Sequence, residues 1–202
     1  MAIRQTATAS RRRQILDAAL ECFTEFGFDR TTMADIVARS SASTGSVYHH
    51  FRSKEQLAGT LYIEGIGEAL RGAARELARE TTAEGGVKAL ARGYSLWIEA
   101  HPKIASFCLL SRGAGFLDAA REGLEEVNLE MQSAVLEWMQ PHLESGALPI
   151  LDPTLYWAVL MGPSDHVARQ WALHPEDLDL VAARQVLEDS AWAAVQALGS
   201  DG

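Results

Sequence analysis

The stretch "STGSVYHHFRSK", residues 43–54, gathers hydroxyls, a phenol, two imidazoles and two cations in one short run. Hydroxyl and imidazole groups can donate to or accept from the edges of bases, and cations and phenols can contact phosphates. If the run is a helix turning about 100° per residue, Val47 and Phe51 fall on one side and Gly45, Ser46 and His49 on the other, with Tyr48 and His50 on the flanks. The outer side is small at its start, so a backbone there can come close to another surface. Adjacent imidazoles on a helix point about 100° apart, so His49 and His50 do not make a zinc pair, and no metal site is expected.

A helix of this kind needs neighbours to hold it. Ser43 caps it, and it must end before Ser53, because "SKEQ" has the S-x-x-E/Q form of a capping box and opens a long helix expected to reach about residue 80. Upstream, Ile15, Ala19, Cys22 and Phe26 make one apolar stripe from about Ser10 or Arg11, which Gly27 stops. Thr32 caps a short second helix with Asp35 three residues on and Ile36 and Val37 facing inward, ending near Ser40. Two short helices joined by a three- or four-residue turn have helix-turn-helix geometry, whose second helix enters the major groove.

Charge is distributed to match. Residues 1–54 hold eight Arg or Lys against five acids, a balance of +3, which leaves −12 for the remainder of a chain with a net charge of −9. A basic head on an acidic body suits a polyanion at one end only. The arginines at 11–13 either reach the flanking DNA backbone or begin the helix in water. The Arg-rich, acid-free N-terminus shares its composition with organelle transit peptides, but it reads here as a basic arm leading into a helix.

These residues together resemble a known family. "ILDAALECFTEFGFDRTTMADIVARSSASTGSVYHHFRSKEQL", residues 15–57, is similar to the DNA-binding domain of the tetracycline-repressor (TetR) family: an apolar first helix ending in F-x-x-x-G-[FY], a T-x-x-x-I-A second helix, and G-x-[LV]-Y-x-H-F-x-S-K-E-x-L. Two positions depart from that pattern, Ser41 where the turn usually has Gly and Ala42 where Val is usual. The resemblance implies that Thr32, Tyr48 and Lys54 bind phosphates, and that Thr44, Gly45, Ser46 and His49 lie along the groove beside the cap Ser43. Lys54 is also supported by its place at a helix N-terminus, where anions are favoured.

Beyond residue 54 apolar residues recur at spacings of three and four, and strand signals are nearly absent, so the fold class is all-α. The expected organisation is a helix-turn-helix DNA-binding domain at 1–54 and a larger helical ligand-binding and dimerisation domain at 55–202. "TTAEGG" (81–86) reads as a loop. Val87, Leu90, Tyr94, Trp97 and His101 form a stripe up to Pro102, and a short helix follows over 103–111. Leu124, Val127, Met131, Ala134 and Trp138 mark another helix, and Asp152 and Pro153 start the next, which Gly162 and Pro163 are expected to kink or split. The last helix is placed at 176–198. Val181, Val186, Trp192 and Val195 lie off its main stripe, which suggests a homodimer packed through the last two helices.

Trp97, His101, Phe107, Cys108, Phe116, Asn128, Met131 and Tyr156 are the candidates for an apolar pocket with a few polar groups. The family resemblance implies such an inducer pocket but selects no ligand. No glycine-rich phosphate loop, nucleophile elbow or HExxH occurs, so no catalytic residue is assigned, no enzyme is expected and no cofactor is expected. Nor does any apolar run approach the roughly 20 residues that span a bilayer. Cys22 and Cys108 are far apart without CxxC spacing, and fit small core positions in a reducing cytoplasm. The expected function is a ligand-responsive regulator, a repressor released from double-stranded operator DNA by a small molecule. A constitutive or architectural DNA-binding dimer without an inducer is the alternative.

Overall fold

A computed structural model describes residues 2–111 and 114–199, in which nine α-helices and no strand occur. The first three make the head: α1 (Ala2–Phe26), α2 (Met33–Ser40) and α3 (Thr44–His50). Helix α1 begins well before the expected Ser10, because residues 2–9 contain neither glycine nor proline to stop it; Arg4's side chain lies outside the described ones. It ends where expected, at Gly27 with φ +79°, a left-handed geometry that costs a residue without Cβ little. Ile15, Leu16, Ala19, Cys22 and Phe23 are buried, with Ile36 of α2 and Val47 and Phe51 beside them.

Helix α4 (Lys54–Leu77) leaves this head and enters the body. The body continues with α5 (Ala83–Ala100), α6 (Pro102–Leu110), α7 (Leu117–Glu144), α8 (Pro153–Leu173) and α9 (Leu180–Gly199). None of the described helices is long and apolar enough to cross a membrane. Two buried clusters run through the molecule. The first joins the head to Leu57 and Leu61 of α4, Trp97 of α5, Phe107 of α6 and Phe116, so the packed interior continues past residue 54. The second lies farther along, among Leu77, Val87, Leu90, Met139, Leu160 and Val195.

Three local features differ from expectation. Thr82 caps α5, and Gly85 and Gly86 lie inside its first turns rather than in a loop. A Cβ on Gly86 would come within 1.9 Å of the Trp138 ring, so this glycine admits an indole, which then donates Nε1–H to Glu80 O at 3.0 Å. Gly162 and Pro163 do not split α8, which runs unbroken through them. Helix α4 ends at Leu77, short of residue 80, and Glu80 instead joins Glu76 and Glu188 around Arg92. That guanidinium ties α4, α5 and α9 together, and these carboxylates help to hold it charged against the desolvation that burial brings.

Helices α4 and α5 approach closely at Gly93. A Cβ there would be 2.6 Å from Ala73 Cα, a contact with backbone that no side-chain movement could relieve.

Candidate nucleic-acid interface and ligand cavity

The second and third helices are fixed by their caps. Thr32 Oγ1 accepts from Asp35 N at 3.2 Å, while Asp35 Oδ2 accepts from Thr32 N at 2.8 Å, a complete capping box. These bonds, with the Thr32 hydroxyl donating at 2.6 Å, hold the Asp35 carboxyl below the usual carboxylate range. Ser43 caps α3 by accepting from Ser46 N at 3.2 Å. Ser53 caps α4 through Gln56 N, but Gln56 Oε1 accepts from Arg52 N rather than from the cap residue, so this capping box is only half formed. Between α2 and α3 the chain turns through Ser41 at φ +54°, the left-handed region, where a serine is strained.

Val47 of α3 and Phe51 just beyond its end are buried, and Thr44, Gly45, Tyr48 and His49 face solvent with Ser46 half-buried between them. The imidazole of His50 is half-buried and meets that of His49 edge-on, with ring centres 5.4 Å apart. Helical periodicity therefore reads the two sides of α3 from sequence. A Cβ built on Gly45 meets no described atom within 4 Å. Nothing inside this chain requires a glycine there.

Lys54 has partners within the chain that its place at a helix N-terminus did not predict. Its Nζ donates to the carbonyls of Phe28 (2.9 Å), Asp29 (3.1 Å) and Thr31 (3.1 Å) and lies 4.5 Å from the centre of the Phe28 ring. An ammonium has three N–H donors, and all three are engaged with the turn that leads from α1 to α2. In the free chain Lys54 thus clamps that turn. Thr32 is also committed, its hydroxyl proton going to Asp35. Arg12 and Arg13 pair with Glu64 of α4 at 3.1 and 2.7 Å, fastening α1 to α4. Arg39 pairs with Glu25 at 2.6 Å. Arg52, exposed just after α3, is a basic residue that sequence reasoning passed over; its position directly after the groove-facing run was the available signal.

The body holds a cavity of about 440 Å³, walled by α4, α5, α7 and α8. Its apolar wall includes Ile66, Leu70, Leu90, Leu124 and Met161, and its polar groups are Tyr62, Tyr94, Asn128 and Asp165. Tyr94 Oη donates to Asp165 Oδ1 at 3.2 Å. Of the candidates named from sequence, Asn128 lies on this wall. Met131 instead lines a shallow hollow with Leu70 and Val127, and Tyr156 is buried with its hydroxyl on the Pro149 carbonyl. His101 sits outside the cavity, 3.3 Å from Glu68.

Trp97, Phe107, Cys108 and Phe116 are core residues rather than cavity walls. Phe107 stacks on Phe23 of α1 (5.6 Å) and on Phe116 (6.0 Å), and Phe116 meets Phe28 at 4.9 Å. Tyr62, which does line the cavity, meets the edge of Phe116 at 6.2 Å. These aromatic rings make a continuous packed path from the cavity wall to the Phe28 ring beneath Lys54. Both cysteines are buried thiols, and burial pushes that of Cys22 up.

Comparison with known proteins agrees with this architecture. Residues 15–61 match the profile of bacterial regulatory proteins, tetR family. An HTH-type transcriptional repressor of Mycobacterium tuberculosis, Rv1474c, is 41% identical over 68 residues, covering 34% of this chain and 36% of that one. The fatty acid metabolism regulator protein of Bacillus subtilis is 24% identical over 188 residues, covering 87% of this chain and 91% of its own. The solved structure of the transcriptional regulator FadR from Bacillus subtilis in complex with stearoyl-CoA superimposes with a TM-score of 0.76 at 19% identity, covering 91% of this chain and 98% of that one. A capped pair of short helices with one open face and a family profile lying on that pair lead to one assignment: residues 15–61 form a DNA-binding domain of the kind found in bacterial regulatory proteins of the tetR family, and it stands on a body that shares the fold of a solved regulator.

Proposed function

We propose that the chain is a transcriptional repressor that reads operator DNA with α3 as a homodimer and is released when a small molecule occupies the cavity between α4, α5, α7 and α8. Gly45 is the observation that carries the DNA-binding half. A glycine within a helix costs at most about 0.5–1 kcal/mol relative to alanine; Gly45 stands in the first turn of α3, and no neighbour in this chain needs its missing side chain. An approaching backbone or base edge does. Thr44, Ser46, Tyr48 and His49 surround it with groups suited to phosphates and bases, and Arg52 supplies a cation at the rim.

The ligand-responsive half is supported by the cavity and by a related structure that holds stearoyl-CoA. Helix α4 supplies both Lys54 at the head and Tyr62, Ile66, Ala69, Leu70 and Ala73 on the cavity wall. Occupancy of the cavity therefore acts on the element that carries the reading head. Coupling of this type is typically about 1–3 kcal/mol and reciprocal.

The test begins with selection of bound sequences from a random DNA pool, followed by operator titration of Gly45→Ala. The variant should be at least as stable as the parent, with a gain of at most about 0.5–1 kcal/mol, and should bind the operator more weakly. Unchanged operator affinity would remove α3's open face from the interface. Release of the selected operator by a ligand bound in the cavity separates the repressor reading from a constitutive DNA binder, which would hold its operator regardless.

A further inference from the structure

Two buried polar side chains, one on α5 and one on α8, are unpaired. Trp97 Nε1 and Ser164 Oγ have no hydrogen-bond partner among the described residues, although the two residues are only 5% and 2% exposed. Their counterparts elsewhere are served. Trp138 Nε1 donates to the Glu80 carbonyl at 3.0 Å, and Ser95 Oγ donates to Ala91 O, four residues back in its own helix, at 3.2 Å. Buried donors are nearly always paired, because an unpaired one has given up its bond to water for nothing. Both groups lie behind the cavity wall, in the seam where α5 packs on α8. The Trp97 ring stacks on that of Tyr94 with centres 6.1 Å apart. Tyr94 borders the cavity and donates to Asp165, and Ser164 is the buried neighbour of Asp165 on α8.

We propose that the site extends past the Tyr94 ring into this seam, where Trp97 Nε1–H and the Ser164 hydroxyl together receive one neutral acceptor oxygen, a ketone, ester or amide carbonyl on an otherwise apolar ligand. The inference rests on the reading of this cavity as the effector site and gives that effector a chemical class. An indole N–H can only donate and a hydroxyl can also donate, so the group that serves both is an acceptor, and a carbonyl oxygen has a lone pair for each. The oxygen is neutral, because two neutral donors return far less than the burial of an ionised oxygen costs. The apolar wall of Ile66, Leu70, Leu90, Leu124 and Met161 takes the rest of the molecule.

The experiment uses the full chain and three probes that share a phenylethyl body and differ at one end. They are 4-phenylbutan-2-one, butylbenzene, which has no oxygen, and 3-phenylpropanoate, whose oxygen is charged. Each is titrated by calorimetry into the parent, into Trp97→Phe, which keeps a ring and loses the N–H, and into Ser164→Ala. In the parent the propanoate should be the weakest of the three. Trp97→Phe should weaken the ketone about fivefold or more, as the loss of one neutral hydrogen bond requires, and leave butylbenzene within about twofold. Ser164→Ala should act in the same direction. The ketone, unlike butylbenzene, should also move the indole N–H proton resonance of Trp97 downfield, the resonance that Trp97→Phe lacks. If Trp97→Phe does not fold, Ser164→Ala and the three probes in the parent decide.

Equal loss of ketone and butylbenzene in the variants overturns the proposal, since it makes Trp97 and Ser164 packing residues. So does a ketone affinity unchanged in both variants, which leaves the two groups to ordered water only. Binding of the propanoate as tight as that of the ketone, or no binding of the ketone to the parent, overturns it as well. The effector reading is judged by a different signal, operator release. A ketone held at Trp97 that leaves operator affinity unchanged overturns the effector role and upholds the site. A ligand that releases the operator equally from the parent and from both variants does the reverse.

Discussion

Lys54 shows how a residue placed correctly in a motif can have a different task from the one its charge suggests. Its ammonium satisfies the carbonyls of Phe28, Asp29 and Thr31 and covers the Phe28 ring, so it holds together the turn on which α2 is mounted. Hydrogen bonds to a charged group contribute about 1.5–3 kcal/mol. Lys54→Met should therefore destabilise the protein by about that much, read by denaturant unfolding, while leaving the salt dependence of DNA binding nearly unchanged. Arg52→Ala should do the opposite, with native stability and a log–log salt slope shallower by about 0.9. A shallower slope in the lysine variant would return Lys54 to the phosphates.

At the scale of the elements, the turn between α2 and α3 holds recoverable strain. Ser41 has φ +54°, and exchange for glycine removes the clash of Cβ with the backbone at some cost in unfolded-state entropy. Ser41→Gly should gain about 0.5–1 kcal/mol in thermal or denaturant unfolding, with operator affinity maintained. A loss of stability would mean that the serine makes a compensating bond.

The same elements show what a sequence can disclose. Caps such as Thr32, Ser43 and Asp152 are written in short-range chemistry and could be read directly, as could the two sides of α3, because helical period alone sends Val47 inward and His49 outward. Gly86 looks like loop in the sequence because its reason is Trp138, which lies far along the chain. Cavity walls were harder still. Leu90 on the wall and Phe107 in the core are both buried and apolar, and only the arrangement of four helices decides which borders empty space. Asn128 could be found because an amide inside an apolar stripe is unusual.

For the whole molecule, the outer face of α9 bears on how two reading heads are joined. Ala182, Val186, Ala193 and Ala197 are exposed along it, and Val181 and Val186 are 61% and 67% exposed. Leu187, by contrast, points inward at 7%. Val186→Glu should yield a folded monomer in sedimentation, with native helix content and weakened operator binding, since two half-sites one DNA turn apart need two heads. A native dimer would place the interface on another face. Leu187→Glu would report on core packing instead.

The contact of Gly93 with the Ala73 backbone also constrains how such a dimer could move. Two helices pressed together backbone to backbone cannot separate or slide without losing that contact, so a tilt of α4 that keeps it must turn about Ala73 as a fulcrum. At about 1.5 Å of rise per residue, the arm from Ala73 to Lys54 is about 28 Å long. On an arm of that length, a rotation of about 5° carries the head about 2.5 Å sideways. A displacement of an atom's width at the cavity is thereby enlarged at the far end of the same helix, without any change in the packing of the head itself.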